Sequence, residues 1–325
     1  MSYKVHEIIK EASSGFEKNF HTQFKYILNE FNEEIDPKIC TLIKKYNTVQ
    51  LPKAFEKYLE QIRALEVFED DIWVITYPKC GTTWSQEAIW QICNGVDIDE
   101  KGKISIRNRF PFLEIQAVAA DPTNESEFEI IQKLERPRFI KSHLPLAFLP
   151  NALWNVKPKI IYVTREAKDA AVSYFHHYYN LYNYSGTKEN FMELFLNGNV
   201  EYGDYWDHLH QFLSLKSVYP NMELIKFEDL KHNMDSVLTQ LCNFLDKKLS
   251  PEKLSILKQH LQFDSMKANP AINPPHLKIL VQKQRPGSEY TFLRRGQTGS
   301  HKDEMPPEFV DKFDEKTRKR LEGLQ

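Results

Sequence analysis

A dense apolar run at residues 72–76 is followed along the chain by three further short strand-like segments, at 138–140, 159–164 and 222–226. A polar loop follows each run, and apolar residues at helical spacing follow the first, third and fourth, near 84–93, 168–179 and 234–245. Continuous apolar strands that alternate with helices are typical of a parallel sheet covered on both faces. The pattern predicts a single α/β domain with a central parallel β-sheet flanked by helices.

The first 50 residues have a different pattern. They are polar, with apolar residues at roughly helical spacing, namely Phe20, Phe24, Ile27, Leu28 and Phe31. We predict an N-terminal helical extension over residues 1–50 and the main domain over 51–325. A second apolar stripe, Phe55, Tyr58, Leu59 and Ile62, predicts a helix over 54–65. Beyond residue 250 we expect long loops over a site, and then a charged helix from about Pro307.

The composition narrows the class of protein. Hydrophobic residues make up 41% of the 325 positions, enough for a full core, and the net charge of −2 gives no general attraction to nucleic acid or to an anionic membrane. The chain starts without a secretory signal pattern, and no stretch approaches the roughly 18 apolar residues of a membrane span. The four cysteines, Cys40, Cys80, Cys93 and Cys242, lack CxxC spacing, which favours a reducing cytoplasm over a disulfide framework or zinc site.

Polar side chains follow the predicted strands. Lys79 comes after the first strand, Lys141 and His143 come after the second, and Arg165 follows the third. Ligands of open parallel sheets bind outside the carboxyl ends of the strands. We therefore expect a ligand site where these side chains meet.

The loop at 77–84 reads YPKCGTTW. A glycine-containing loop between a strand and a helix N-terminus directs backbone N–H groups at an anion, to which Lys79, Thr82 and Thr83 add donors. The alternative is an ordinary tight turn with a solvent-facing lysine. The loop is not a Walker A loop, because its lysine precedes its glycine.

The same loop resembles the 5′-phosphosulfate loop of the cytosolic sulfotransferases, whose usual form is YPKSGTTW. The resemblance runs from about residue 50 to 305 and includes five further motifs in the family's order: KSHLPL at 141–146, VTREAKDAAVSYFHH at 163–177, FEDL at 227–230, FDSMKANP at 263–270 and FLRRGQTG at 292–299. The chain is identified as an insect-like or otherwise divergent member. This resemblance implies one α/β domain with a P-loop-like phosphosulfate-binding loop.

The resemblance implies the donor 3′-phosphoadenosine 5′-phosphosulfate (PAPS), the product 3′-phosphoadenosine 5′-phosphate (PAP) and no metal. It assigns the 5′-phosphosulfate to Lys79, Cys80, Gly81, Thr82 and Thr83, and adenine stacking to Trp84. It assigns the 3′-phosphate to Arg165, Ser173, Arg294, Arg295 and Gly296. Phe227, Phe263, Phe292 and Leu293 belong to the same nucleotide site.

His143 in KSHLPL matches the family's catalytic base. The reaction needs a base because the acceptor hydroxyl must lose its proton as the new bond forms. A lone histidine is more often a surface or core residue, so this role depends on the motif. Lys141 lies two residues earlier, where an extended backbone aims both side chains to one face, and it stabilises developing charge together with Lys79.

Aromatic residues fall where the family lines its acceptor pocket, namely Phe110, Phe112, Tyr174, Phe175 and Tyr178. Some of these rings are expected to be ordinary core. The others favour a small apolar or aromatic hydroxyl compound, such as a phenol, a sterol or a retinoid, over a sugar. Whether the sulfate ester is the final product or eliminates to an alkene stays open.

The chain departs from the family pattern at several positions. Cys80 replaces a serine, which allows either a reactive thiol near a cation and a helix N-terminus or an inert small group. Phe227 replaces a tyrosine, and Leu261 and Gln262 stand where threonine and serine are common. The KxxxTVxxxE dimer motif is missing after Lys302, since Pro306 and Pro307 occupy its Thr-Val positions. We expect no dimer through this segment.

Two other functions remain open from the sequence. One is a P-loop kinase or NTPase, against which the missing GK[ST] argues, and the other is a non-catalytic carrier of an apolar ligand. Lys79 and His143 argue against the carrier. We expect neither nucleic acid nor membrane as a partner.

Overall fold

The structure is a computed structural model that describes residues 3–7, 23–31, 34–118 and 126–323. Its strands are β1 Tyr3–Glu7, β2 Gln23–Leu28, β3 Thr48–Pro52, β4 Ile72–Thr76, β5 Phe139–Ser142, β6 Lys159–Thr164 and β7 Met222–Lys226. Its helices are α1 Pro37–Lys45, α2 Leu59–Arg63, α3 Thr82–Cys93, α4 Ile106–Arg109, α5 Ile115–Val118, α6 Glu127–Lys133, α7 Leu153–Val156, α8 Ala167–Leu181, α9 Lys188–Leu196, α10 Tyr205–Lys216, α11 Phe227–His232, α12 Met234–Phe244, α13 Pro251–His260, α14 Phe263–Ala268, α15 Pro275–Gln284, α16 His301–Glu304 and α17 Pro307–Leu321.

The central sheet has the strand order β5-β4-β6-β7, and all its pairings are parallel. Every residue of β4 is buried, as expected for a strand covered on both faces. Trp73 and Ile75 point into one hydrophobic cluster, while Ile72 and Val74 point into a second cluster on the other face. The α/β architecture predicted from the four apolar runs is confirmed.

The helical interpretation of the N-terminal residues is wrong for Tyr3–Glu7 and Gln23–Leu28, which are strands, whereas Pro37–Lys45 is a helix within the predicted extension. β1, β2 and β3 form an antiparallel three-stranded sheet, with Tyr26 paired to Val49. The alternate residues Tyr26 and Leu28 are completely buried. Positions 24, 27, 28 and 31 mimic a helical stripe, but backbone pairing with β3 and period-two burial decide the conformation. Phe20 lies outside the described residues, and the domain boundary at residue 50 stays a prediction.

The other predicted helices are present with small differences. The predicted helix over 54–65 divides into a short 3₁₀-helix at Lys53–Lys57 and the helix α2. α8, α12 and the C-terminal helix α17 lie where the apolar spacing placed them. Within the described ranges, a helix both long and apolar enough to cross a membrane is not found.

Candidate active site

The phosphosulfate loop joins β4 to the N-terminus of α3. Gly81 caps this helix with a φ of 94°, a left-handed conformation that favours glycine, and a side chain at this position would overlap the Phe227 ring. Phe227 therefore packs against the loop, as expected for a ring without a hydroxyl. The Thr82 hydroxyl lies 2.7 Å from that of Thr76 at the end of β4. The sequence thus forms a close strand–loop–helix cradle at a helix N-terminus, an arrangement that favours an anion.

Four cationic side chains lie at the cradle, namely Lys79, Lys141, Arg165 and Arg294. Burial and the nearby charges of Lys141, Arg165 and Arg294 lower the pKa of Lys79 to about 7. The Lys79 ammonium also lies 4.8 Å from the centre of the Phe292 ring. Because like charges destabilise one another in a buried site, this arrangement favours an anionic ligand.

The side chain of Arg165 links two parts of the site. Nη1 donates to the Lys79 carbonyl (3.0 Å), and Nη2 donates to the Gln297 carbonyl (2.9 Å). Its Nε is buried and has no hydrogen-bond partner among the described residues. A buried donor without a partner is costly, so this guanidinium fits an anionic oxygen. Ser173 lies on α8, eight positions after Arg165, and is half-buried.

Arg294 and Arg295 lie in a segment that closes over the cradle, residues 294–304, which we name the closing segment. The backbone N–H groups of Gly299 and His301 donate to Asp169 on α8 at 2.6 and 2.9 Å. Gly296 has a φ of 57°, and the Phe263 ring packs directly over it. Leu293 packs on the second hydrophobic cluster. The predicted nucleotide residues Phe263, Leu293 and Gly296 therefore lie on or beside the closing segment.

Glu166, Asp169 and His301 form a group with metal-ligand chemistry. Nδ1 of His301 lies 2.8 Å from Asp169 and 3.0 Å from Glu166. Because Asp169 also accepts the two backbone N–H groups of the closing segment, we interpret this group as an anchor for that segment.

His143 follows β5 and faces the cradle. Its Nδ1–H donates to the Thr76 carbonyl at 2.7 Å, which leaves Nε2 as the unprotonated nitrogen. Burial and the charge of Lys141 hold the pKa of His143 well below its usual value, so the imidazole is neutral. The ring stands edge-on to Phe112 at 5.0 Å and to Tyr202 at 5.5 Å. This geometry suits a proton acceptor that packs against two aromatic rings.

Two buried groups that the sequence did not single out hold the histidine. Glu114 accepts the backbone N–H of His143 (2.6 Å) and the Ser142 hydroxyl (2.9 Å). Burial raises the pKa of Glu114 to about 7, and burial lowers that of Lys141 to about 8. His208 donates from Nε2 to the His143 carbonyl (3.0 Å) while its Nδ1 accepts from Tyr162 (2.8 Å). A carboxylate directly after the apolar run FPFL was the one available signal for Glu114.

The predicted acceptor residues separate in the structure. Phe112 lies against His143, and Lys141 lies 3.9 Å above the Phe112 ring. Phe110 packs on Phe139 in the second hydrophobic cluster instead of beside His143, whereas Phe112 packs against the first cluster. Phe175 lines an open groove with Tyr179 and Tyr290.

Tyr174 and Tyr178 are buried core residues, and their hydroxyls bond the backbone of Glu201 at 3.3 and 2.7 Å. The next residue, Tyr202, contacts His143 and was not predicted. Its φ of 68° is rare for a residue with a side chain. The Tyr-Gly pair before α10 was its only sequence signal.

The remaining loop residues are accounted for by local contacts. The indole N–H of Trp84 donates to the Leu261 carbonyl (2.9 Å), and its ring is half-buried. Cys80 is 1% exposed, and burial raises the pKa of its thiol to about 12. This burial favours the interpretation of Cys80 as an inert small group over that of a reactive thiol, because desolvation outweighs the cations.

Comparison with known proteins agrees with this architecture. The sulfotransferase domain family matches residues 69–325. Luciferin sulfotransferase of Photinus pyralis is 34% identical over 82% of this chain and 76% of its own length. Sulfotransferase 1B1 of Mus musculus is 34% identical over 90% of this chain and 95% of its own.

Solved structures match as well. A retinol dehydratase in complex with retinol and PAP superposes with a TM-score of 0.79 at 23% identity, covering 99% of this chain and 98% of that one. A mouse sulfotransferase complexed with PAP gives a TM-score of 0.67 at 25% identity over 85% of this chain and 92% of that one. The chain belongs to the sulfotransferase family. This membership decides for a transferase over the P-loop kinase or NTPase and over the non-catalytic carrier.

Proposed function

We propose that this chain transfers a sulfuryl group from PAPS to the hydroxyl of a small apolar or aromatic acceptor. The observation that carries the proposal is the orientation of His143, whose Nδ1–H bond to Thr76 leaves Nε2 to accept a proton beside the phosphosulfate loop. The PAP bound by the mouse sulfotransferase supports this donor. The name of luciferin sulfotransferase supports a small aromatic acceptor.

The residues of the chain fit the donor. Lys79, Gly81 and the N-terminus of α3 surround the proposed place of the 5′-phosphosulfate, and the unpartnered Nε of Arg165 is a donor for the 3′-phosphate. Thr82, Thr83 and Ser173 add hydroxyls. The aromatic rings of Trp84, Phe227 and Phe263 supply a surface for the adenine ring of the donor. When bound, the donor supplies an activated sulfuryl group.

Individual side chains of the protein have separate roles in the transfer. His143 Nε2 accepts the proton of the acceptor hydroxyl, and the ring keeps its orientation because Thr76, Glu114 and His208 hold it or its backbone. Lys79 and Lys141 stabilise the negative charge that develops on the oxygens around sulfur. Phe112 and Tyr202 pack edge-on against the imidazole and contribute to its burial. Positioning and electrostatics supply most of the rate.

A labelled-sulfate assay tests the proposal. The purified protein would be incubated with donor labelled in the sulfuryl group and with phenols, sterols, retinoids and amines in parallel. We expect label in an apolar hydroxyl compound, and mass analysis separates a stable sulfate ester from an alkene. Labelling of none of these classes, together with absence of PAP binding, would refute the proposal.

A further inference from the structure

Glu304 at the end of the closing segment is bound by three side chains. Its Oε1 accepts from Nη1 of Arg294 (2.8 Å) and from Nη1 of Arg295 (3.0 Å). Its Oε2 lies 2.5 Å from Nε2 of His176 on α8. The carboxylate is 12% exposed. One acid therefore holds Arg294 and Arg295, the two arginines of this segment that the family resemblance assigns to the 3′-phosphate.

A carboxylate and a phosphate use the same donors. Both present oxygens to the forked N–H groups of guanidinium, and such charge-assisted bonds are about twice as strong as neutral ones. The surrounding donors hold the pKa of Glu304 at about 2, so the acid is an anion throughout the working range of pH. An N–H group that donates to Glu304 is not available to a second anion.

We propose that Glu304 is an internal competitor for the 3′-phosphate and sets the affinity of the site for 3′-phosphorylated nucleotides. The inference rests on the proposed function. An incoming 3′-phosphate takes Arg294 and Arg295 from the carboxylate, while His176 retains its bond to Oε2. The cost of this exchange weakens binding of donor and product alike, and it speeds the departure of PAP.

The backbone around Glu304 is held independently of the carboxylate. Lys188 donates to the Glu304 carbonyl (2.9 Å), the Met305 N–H donates to the His301 carbonyl (2.9 Å), and Asp169 anchors the earlier part of the closing segment. A change from acid to amide at this position therefore removes charge without releasing the segment. Glu304→Gln is the appropriate variant.

Titration calorimetry with two nucleotides tests the inference. PAP carries the 3′-phosphate, whereas adenosine 5′-phosphate lacks it. We expect Glu304→Gln to bind PAP about tenfold more tightly, equivalent to about 1.4 kcal/mol, and to bind adenosine 5′-phosphate as the wild type does. Glu304→Asp, which shortens the reach by one methylene, should give a smaller gain. Asp303→Asn is the matched control, because this exposed neighbour lies 4.0 Å from Arg295, and its affinity should stay within about twofold of the wild type.

The outcomes separate the inference from the function. Equal or weaker PAP binding by Glu304→Gln would make the acid a positioning group and overturn the inference, as would an equal gain for both nucleotides. Binding of PAP by neither the wild type nor the variants would instead overturn the proposed function, and the inference with it.

Discussion

Arg165 donates a hydrogen bond from Nη1 to the backbone carbonyl of Lys79, at 3.0 Å. The arginine assigned to the 3′-phosphate therefore also supports the loop assigned to the 5′-phosphosulfate. Arg294 has no such bond to the loop among its described contacts, where its partner is Glu304. The two arginines are expected to act differently on nucleotides with and without a 3′-phosphate.

We expect Arg294→Ala to weaken PAP binding by about 1.5–3 kcal/mol while leaving adenosine 5′-phosphate unaffected. Arg165→Ala should weaken the binding of both nucleotides, because the Lys79 carbonyl loses its hydrogen-bond donor. Calorimetry on the two variants measures this difference. Identical selectivity in both variants would show that the Arg165–Lys79 bond has no effect on the loop.

The lowered pKa of Lys79 predicts that PAP binding is linked to the uptake of a proton. Its pKa of about 7 means that the free site loses charge above neutral pH. A bound polyanion favours the ammonium, so binding takes up a proton and PAP affinity falls as the pH rises from 7 to 8. Calorimetry in buffers of different ionisation enthalpy measures the uptake.

The control for this linkage is Lys79→Met, since Lys141 and Glu114 also titrate near neutrality. We expect most of the uptake near pH 8 to disappear in this variant. Undiminished uptake would assign the proton to the Lys141–Glu114 pair.

Cys80 should resist alkylation in the folded protein. Its thiol is 1% exposed, whereas Cys93 and Cys242 are partly exposed. Burial raises the pKa of the Cys93 and Cys242 thiols as well, so exposure is what distinguishes the three residues. We expect iodoacetamide to label Cys93 or Cys242 first, as read by peptide mass analysis, and Cys80→Ser to be inactivated at the wild-type rate. Rapid labelling of Cys80 that PAP prevents would contradict this expectation.

The segment at 302–311 should not mediate a dimer. Met305 and Phe309 are buried within the chain, and Pro306 and Pro307 provide no N–H groups for a paired backbone. Sedimentation at micromolar concentration should be unchanged by charge reversal at Lys302 and Asp311. A dimer that these changes dissociate would disprove the prediction.

The four strands of the central sheet were predictable because each is a short apolar run with a polar loop after it. Lys159–Thr164 and Met222–Lys226 have the predicted bounds. The N-terminal strands were not, since Phe24, Ile27 and Leu28 satisfy helical spacing and only pairing with β3 distinguishes the two conformations.

Within the site, sequence motifs led to Lys79, His143 and Arg165. Glu114, Tyr202 and Glu304 were missed, because their roles depend on contacts between residues far apart in the chain. His208 lies 65 positions from the carbonyl that it binds. Contacts between residues so far apart in the chain cannot be read from the sequence and are seen only in the folded structure.

The most direct test of the account concerns His143. Single-turnover transfer of labelled sulfate would be measured for the wild type and His143→Ala, with PAP affinity measured in parallel. We expect the rate to fall roughly 10²–10⁴-fold, the usual contribution of a positioned base, with PAP affinity nearly unchanged. His276→Ala, at an exposed histidine on α15, is the control and should keep the wild-type rate. If His143→Ala retains a tenth or more of the rate, His143 is not the base and the central claim is wrong.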